Sequence, residues 1–265
     1  MGDVTFEALR DAVRSHRPSV LVTVVAGPGV GDKLLVVEGA ELAGQLGDAD
    51  LHRVVSRDAE AALAAGATSV RRYGSKGEAN QDSVTVFFDS YAPPPRLVIF
   101  GAVDFTSALV RVAKVLGYHV TVCDAREVFA TAARFPLADD VVVDWPHRHL
   151  QSIGDSLGVR DAVCVLTHDA KFDVPAIIAA LATKVGYLGA MGSRRTTEQR
   201  ALRLREQGVT DADLERLMAP IGLDLGARTP EETAVAICAE MIACRTGRTA
   251  PSLRHGSGPI HPSHA

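Results

Sequence analysis

Leu97-Val98-Ile99-Phe100-Gly101-Ala102-Val103-Asp104-Phe105-Thr106, then a helical pattern to residue 116, then His119-Val120-Thr121-Val122-Cys123-Asp124, is the stretch that decides the fold. Four consecutive apolar residues end in a glycine, and a second β-branched run ends in an aspartate. A strand apolar at every position is covered on both faces. Two such strands joined by one helix make a parallel βαβ unit. The alternation continues downstream, with strands predicted at 141–143, 162–166 and 186–188. Helices are predicted over 106–116, 174–182, 196–207, 211–218 and 230–245. This is the pattern of a doubly wound parallel sheet.

Upstream the pattern changes at Ala92-Pro93-Pro94-Pro95, where three prolines can continue neither a ladder nor a helix. Before it, a helix is predicted over 6–15, strands at 19–25, 34–37 and 84–88, and a helix over 59–65 closed by Gly66. The predicted fold class is therefore α/β: a small α+β domain (1–91), a Pro-rich linker (92–95) and a Rossmann-like doubly wound domain (96–245). The tail 246–265 is rich in Gly, Pro, Ser and His, has little to bury, and is predicted to be disordered.

Composition bounds the function. With 265 residues and 47% hydrophobic content the chain can bury a substantial core. A net charge of -4 argues against a nucleic-acid surface. No apolar run is long enough to span a bilayer, and no secretory signal is visible. Cys123, Cys164, Cys238 and Cys244 fall in apolar patterns without a CxxC pair, as buried thiols in a reducing cytoplasm would. A cytoplasmic location and no metal centre are expected.

The first βα turn has the layout of a dinucleotide site without its chemistry. Asp124 lies a little over ~20 residues past the turn, where such folds place a ribose-binding carboxylate. Of the G-x-G-x-x-G pattern only Gly101 is kept. Val103 replaces the glycine that admits a pyrophosphate, Thr106 replaces the third, and Asp104 brings negative charge to the phosphate position. NAD(P) in its usual pose is disfavoured, and Asp124 has an ordinary alternative as the cap of a turn.

Two later stretches suit an anion better. Gly189-Ala190-Met191-Gly192-Ser193-Arg194-Arg195-Thr196 joins small residues to two arginines at a helix start. Gly222-Leu223-Asp224-Leu225-Gly226-Ala227-Arg228-Thr229-Pro230-Glu231-Glu232 does the same with Arg228, and Thr229, Pro230 and Glu232 write a capping box. Helix-start amides and arginines hold phosphate-like groups. Both could equally be well-capped turns, with Arg194 and Arg195 paired to Glu198 or Glu206 and Arg228 to Asp224. His168-Asp169 follows a strand end and could serve as a donor or in acid–base work, or simply cap the next helix.

The GAMGSRRT run (189–196), the GLDLGARTPEE run (222–232), Leu166-Thr167-His168-Asp169-Ala170-Lys171-Phe172-Asp173, and Arg134-Phe135-Pro136 through Asp144-Trp145-Pro146 stand in the order found in one family. Over 96–245 the chain resembles the XdhC/CoxI proteins, accessory factors of xanthine dehydrogenase-type molybdenum hydroxylases. The resemblance implies a chaperone that binds molybdenum cofactor and presents it to a hydroxylase apoenzyme. No catalytic residue is expected, and a homodimer is plausible for such a domain pair, although no stretch specifies an interface. Together with the anion-binding reading it places cofactor binding at Gly189, Gly192, Ser193, Arg194, Arg195, His168, Asp169 and Arg228, and the Rossmann layout adds Gly101 and Asp124.

The chain departs from that family near its start. The first N-terminal loop is shortened to Gly27-Pro28-Gly29-Val30-Gly31. The family's cysteine-bearing segment aligns with Gly47-Asp48-Ala49-Asp50-Leu51-His52, placing Asp50 at the cysteine, and no cysteine precedes Cys123. A carboxylate does not replace a soft thiolate. Two further readings stay open: an NAD(P)-dependent oxidoreductase, and a relative that acts through protein contacts alone.

Overall fold

The computed structural model describes residues 4–255 except His16, Glu41 and Asn80, together with Ser257 and Ile260. The chain forms two compact units, one of residues up to Pro93 with the segment from Pro251, the other Pro94–Ala250.

The first unit runs α1 (Val4–Arg14), β1 (Ser19–Ala26), β2 (Lys33–Val37), β3 (Ala43–Gln45), α2 (Ala49–Ala65), β4 (Ser69–Tyr73) and β5 (Val84–Tyr91). Among the described residues its strands make one antiparallel sheet in the order β3-β2-β1-β5-β4. Alternation along β1 explains the layering. Val20, Val22 and Val24 face α2 through Leu51, Val55, Ala59 and Ala62, whereas Leu21 on the other face packs with Ala12 of α1. Helix α2 begins ten residues before its predicted start. Asp48 caps it by accepting from the amides of Asp50 and Leu51, and Gly66 closes it with φ 59°. Asp50 therefore sits exposed in a helical first turn, 3.4 Å from Arg53.

The second unit runs β6 (Arg96–Phe100), α3 (Asp104–Val115), β7 (His119–Asp124), β8 (Asp140–Val143), α4 (Pro146–Ile153), β9 (Ala162–Val165), α5 (Ala170–Leu181), β10 (Tyr187–Ala190), α6 (Arg194–Glu206), α7 (Asp211–Glu215), β11 (Leu217–Met218) and α8 (Pro230–Thr246). All its strand pairs are parallel, in the order β11-β10-β9-β6-β7-β8. Counted within this unit, that is the 3-2-1-4-5-6 order of two mononucleotide-binding halves. Alternate residues of one strand serve opposite layers. Leu97 and Ile99 pack with α3 and α8, while Val98 and Phe100 pack with α4, α5 and α6.

Sequence and structure differ in short elements. β3, β4, α4 and β11 have no sequence counterpart above, and β11 lies where a helix over 211–218 was predicted, which stops at Glu215. Helix α8 ends at Thr246, and residues 253–255 form a 3₁₀ turn within the 246–265 stretch. Residues 256, 258, 259 and 261–265 of that tail lie outside the described residues. No described helix is long and apolar enough to cross a membrane.

Candidate ligand site at the carboxyl edge of the parallel sheet

The parallel order reverses between β6 and β9, and the loops leaving the carboxyl ends of those strands frame the crevice where open α/β sheets bind ligands. The β6 loop holds Gly101, with φ 112°. A Cβ there would stand 2.9 Å from Cγ2 of Thr167 on the β9 loop. Only glycine lets the two loops meet this closely.

The turn after β6 is closed by its own side chains. The Gly101 amide donates to the Cys123 carbonyl at 2.9 Å, and that of Ala102 to Asp124 Oδ2 at 2.8 Å. The Val103 amide donates to Thr106 Oγ1 at 3.3 Å, and the Thr106 hydroxyl donates to the Gly101 carbonyl. Buried Asp124 also accepts from the Arg126 amide and Nε on Oδ1 and from Arg126 Nη2 on Oδ2. With two donors on each oxygen, its acceptor capacity is filled. Burial would raise the Asp124 pKa, but the hydrogen bonds from Arg126 and Ala102 hold the carboxyl below its ordinary value.

On the other side of the switch point the arrangement is open. Ser193 caps α6, accepting from the Thr196 amide at 3.1 Å. Arg194 and Arg195 are exposed, and among the described residues their side chains form neither ion pair nor hydrogen bond; neither Glu198 nor Glu206 engages them. As the first two helical residues, their amides have no partner within the helix. Beneath this turn lies Arg200, 3% exposed. Its Nη2 donates to Asp173 Oδ2 at 2.9 Å and to the Met191 carbonyl at 2.8 Å, while Asp173 also accepts from Thr167. Arg200 Nη1 is buried and has no partner. It lies 3.6 Å from where a Cβ on Gly192 would be, with the Thr196 side chain nearer at 3.3 Å, so the glycine leaves a notch walled by Thr196 over the buried guanidinium edge.

Arg228 comes from a third loop, residues 219–229. The Gly222 amide and the Tyr187 hydroxyl both donate to Glu240 Oε2 of α8, at 2.8 and 2.6 Å. A Cβ on Gly189 would lie 2.5 Å from Ile221, so glycine there lets the loop close onto β10. The predicted capping box is present. Thr229 accepts from the Glu232 amide, and Glu232 accepts from the amides of Arg228 and Thr229, which hold its carboxyl below its usual pKa. Arg228 makes no ion pair with Asp224. Its guanidinium is exposed.

His168 and Asp169 are both exposed. Asp169 caps α5 by accepting from the Lys171 amide, which leads the contacts holding its carboxyl below its ordinary value. The structure thus brings Gly189, Gly192, Ser193, Arg194, Arg195, His168, Asp169, Gly101 and Asp124 to one edge of one sheet. The last two are engaged with each other's loop. Thr167 and Asp173, quoted above only as part of the 166–173 run, organise this edge together with Arg200 and Glu240, which no sequence motif singled out. Among the described residues no three His, Cys, Asp or Glu side chains converge to hold a metal.

The strand order and its switch point define a Rossmann-type unit, which follows a small antiparallel one in the chain. Residues 97–241 match the XdhC Rossmann domain and residues 12–74 match the XdhC and CoxI family. The chain belongs to that family. Similar proteins include a probable xanthine dehydrogenase subunit of Bacillus subtilis, 31% identical over 62% of this chain and 47% of that one. The molybdenum cofactor insertion chaperone PaoD of Escherichia coli is 28% identical over 58% and 42%. The chain spans less than half the length of these relatives. The crystal structure of a xanthine dehydrogenase from Bacillus halodurans shares the fold, with TM-score 0.54 and 21% identity over 95% of this chain and 98% of that one.

Proposed function

We propose that the chain is a divergent accessory protein that binds molybdenum cofactor and delivers it to a molybdenum hydroxylase apoenzyme in the cytoplasm. The observation that carries the reading is the notch at Gly192. Two arginines without partners flank a helix N-terminus there, above the unsatisfied edge of Arg200. That donor set fits a phosphate group, with the amides of Arg194 and Arg195, their guanidiniums and Arg228 as its holders. When bound, the cofactor supplies the redox chemistry, and that chemistry belongs to the hydroxylase. The residues here bind and orient. His168 donates to the ligand from the β9 loop. The names of the Bacillus subtilis and PaoD relatives support the role.

Transfer to NAD(P) chemistry finds less support. At the first turn the Ala102 and Val103 amides are bonded internally, Asp104 puts a carboxylate at the helix start, and Asp124 has no acceptor site left for a ribose hydroxyl.

The test is cofactor retention through gel filtration, read as the fluorescence of the oxidised pterin. The wild-type chain retains cofactor near stoichiometrically, and Arg194→Ala with Arg228→Ala loses it. Equal retention by the folded double variant rejects the assignment.

A further inference from the structure

Aromatic surface collects on another part of the same edge, away from Gly192. Trp145, the chain's one tryptophan, precedes α4 and is 38% exposed. Its ring lies 5.0 Å from that of Phe172 in the first turn of α5, tilted by 42°. Lys171 Nζ stands 4.8 Å from the Phe172 centroid. From the β7 loop comes Phe129, 39% exposed, with the guanidiniums of Arg126 and Arg134 4.5 and 5.4 Å from its centroid. Arg134 is fastened by bonds to the carbonyls of Ala102 and Phe129. In a chain only 5% aromatic, large rings held part-exposed at two helix starts and a neighbouring turn are not core filling.

The local charge is close to balanced. Arg126 is paired with Asp124, and Lys171 lies 3.4 Å from Asp169. Attraction of an anion therefore does not account for the cluster. Ring faces and guanidinium planes together are what flat, electron-poor heterocycles stack upon. The 125–139 connection between β7 and β8 carries no helix; it anchors itself through buried Ala130 and Phe135 and leaves Phe129 part-exposed.

We propose that Trp145 and Phe172, bordered by Phe129 and its two arginines, form a stacking shelf for the planar ring of a phosphate-bearing ligand, either a pterin or a nucleobase. It rests on the ligand reading above only in assigning the ring and the phosphate to one molecule. The two subsites consist of different residues.

Trp145 is its own reporter. The full-length protein is titrated with neopterin, and separately with CMP and GMP, following tryptophan emission corrected for absorption. Ribose 5-phosphate and free N-acetyltryptophanamide serve as controls. Saturable quenching by a ring-bearing probe, with half-saturation below about 1 mM and none from ribose 5-phosphate, is the expected result. The arm that saturates, pterin or nucleotide, identifies the ring. Phe172→Leu keeps an apolar side chain and the reporter while losing the ring, and weakens binding about tenfold. Trp145→Leu, followed by calorimetry, does the same. Arg194→Ala with Arg228→Ala leaves the quenching by neopterin unchanged, so failure of the notch and failure of the shelf are distinguishable. Absence of saturable quenching in both arms, or affinity indifferent to Phe172→Leu and Trp145→Leu in folded variants, overturns the proposal.

Discussion

Replacing Arg200 with methionine tests how the ligand edge is held together. Arg200 and Asp173 are each 3% exposed at the side chain, 2.9 Å apart, and Arg200 also ties the first turn of α5 to the β10 loop through the Met191 carbonyl. Removing one member of a buried pair leaves the other charged in an apolar setting, at about 3–5 kcal/mol. Asp173 keeps its bond from Thr167, which places the expected loss near the lower end, about 3 kcal/mol. For a domain of this size each kcal/mol moves the melting temperature by about 2–4 °C, so a fall of about 6–12 °C is expected. Trp145 is the chain's only tryptophan and lies in the second unit, so its emission during heating follows that unit alone. Arg200→Met with Asp173→Leu removes both charges and recovers most of the loss, since well-packed apolar residues can replace a buried pair. A single variant melting within about 2 °C of wild type, or a double variant no better than the single, would refute the account.

Two further outcomes follow from the ionisation states. The folded Asp124 carboxyl titrates below its ordinary value, so its stabilising effect is complete above the unfolded pKa near ~3.9 and is lost as pH falls through the lower folded value. Asp124→Asn should thus lower the urea midpoint most at neutral pH, with the gap to wild type closing in acid; a constant gap means the charge is not what matters. Among the thiols, burial pushes Cys123 up to about 12 and Cys238 up to about 11, raises Cys164 as well, and leaves only Cys244 exposed. A disulfide reagent at pH 8 should modify one thiol quickly in the folded protein and all four in denaturant, and rapid modification of two or more contradicts the packing.

The long buried strands and the caps were legible because each has a local cause. β6 carries four consecutive apolar residues and β7 the β-branched run Val120-Thr121-Val122, and Thr229-Pro230 with Glu232 writes a helix start unaided. What escaped has its cause elsewhere in the fold. β3 and β11 are two or three residues long and exist only through pairing with a neighbour. Helix α4 buries only Pro146 and Leu150, too few positions to show a period. The start of α2 is masked by the polar Gly47-Asp48-Ala49-Asp50 run, although Leu51, Val55, Ala59 and Ala62 carry a helical stripe. At the site, Arg194, Arg195 and Arg228 could be singled out because they adjoin glycine-rich turns. Arg200 sits among several arginines of α6. Its one signal is the spacing of four from Leu204, the other buried residue of that helix.

The grip of Glu240 on the 219–229 loop has a mechanical consequence. Both ends of that loop report to α8: Glu240 in mid-helix fixes Gly222, and Glu232 in the first turn fixes Arg228. Arg228 is thus carried by α8 as a rigid lever arm rather than by a swinging flap. Arg194 is carried by α6, which packs on the opposite face of the sheet. A ligand grasped by both arginines would act as a tie-bar across the top of the sandwich, bracing its two helical layers against each other.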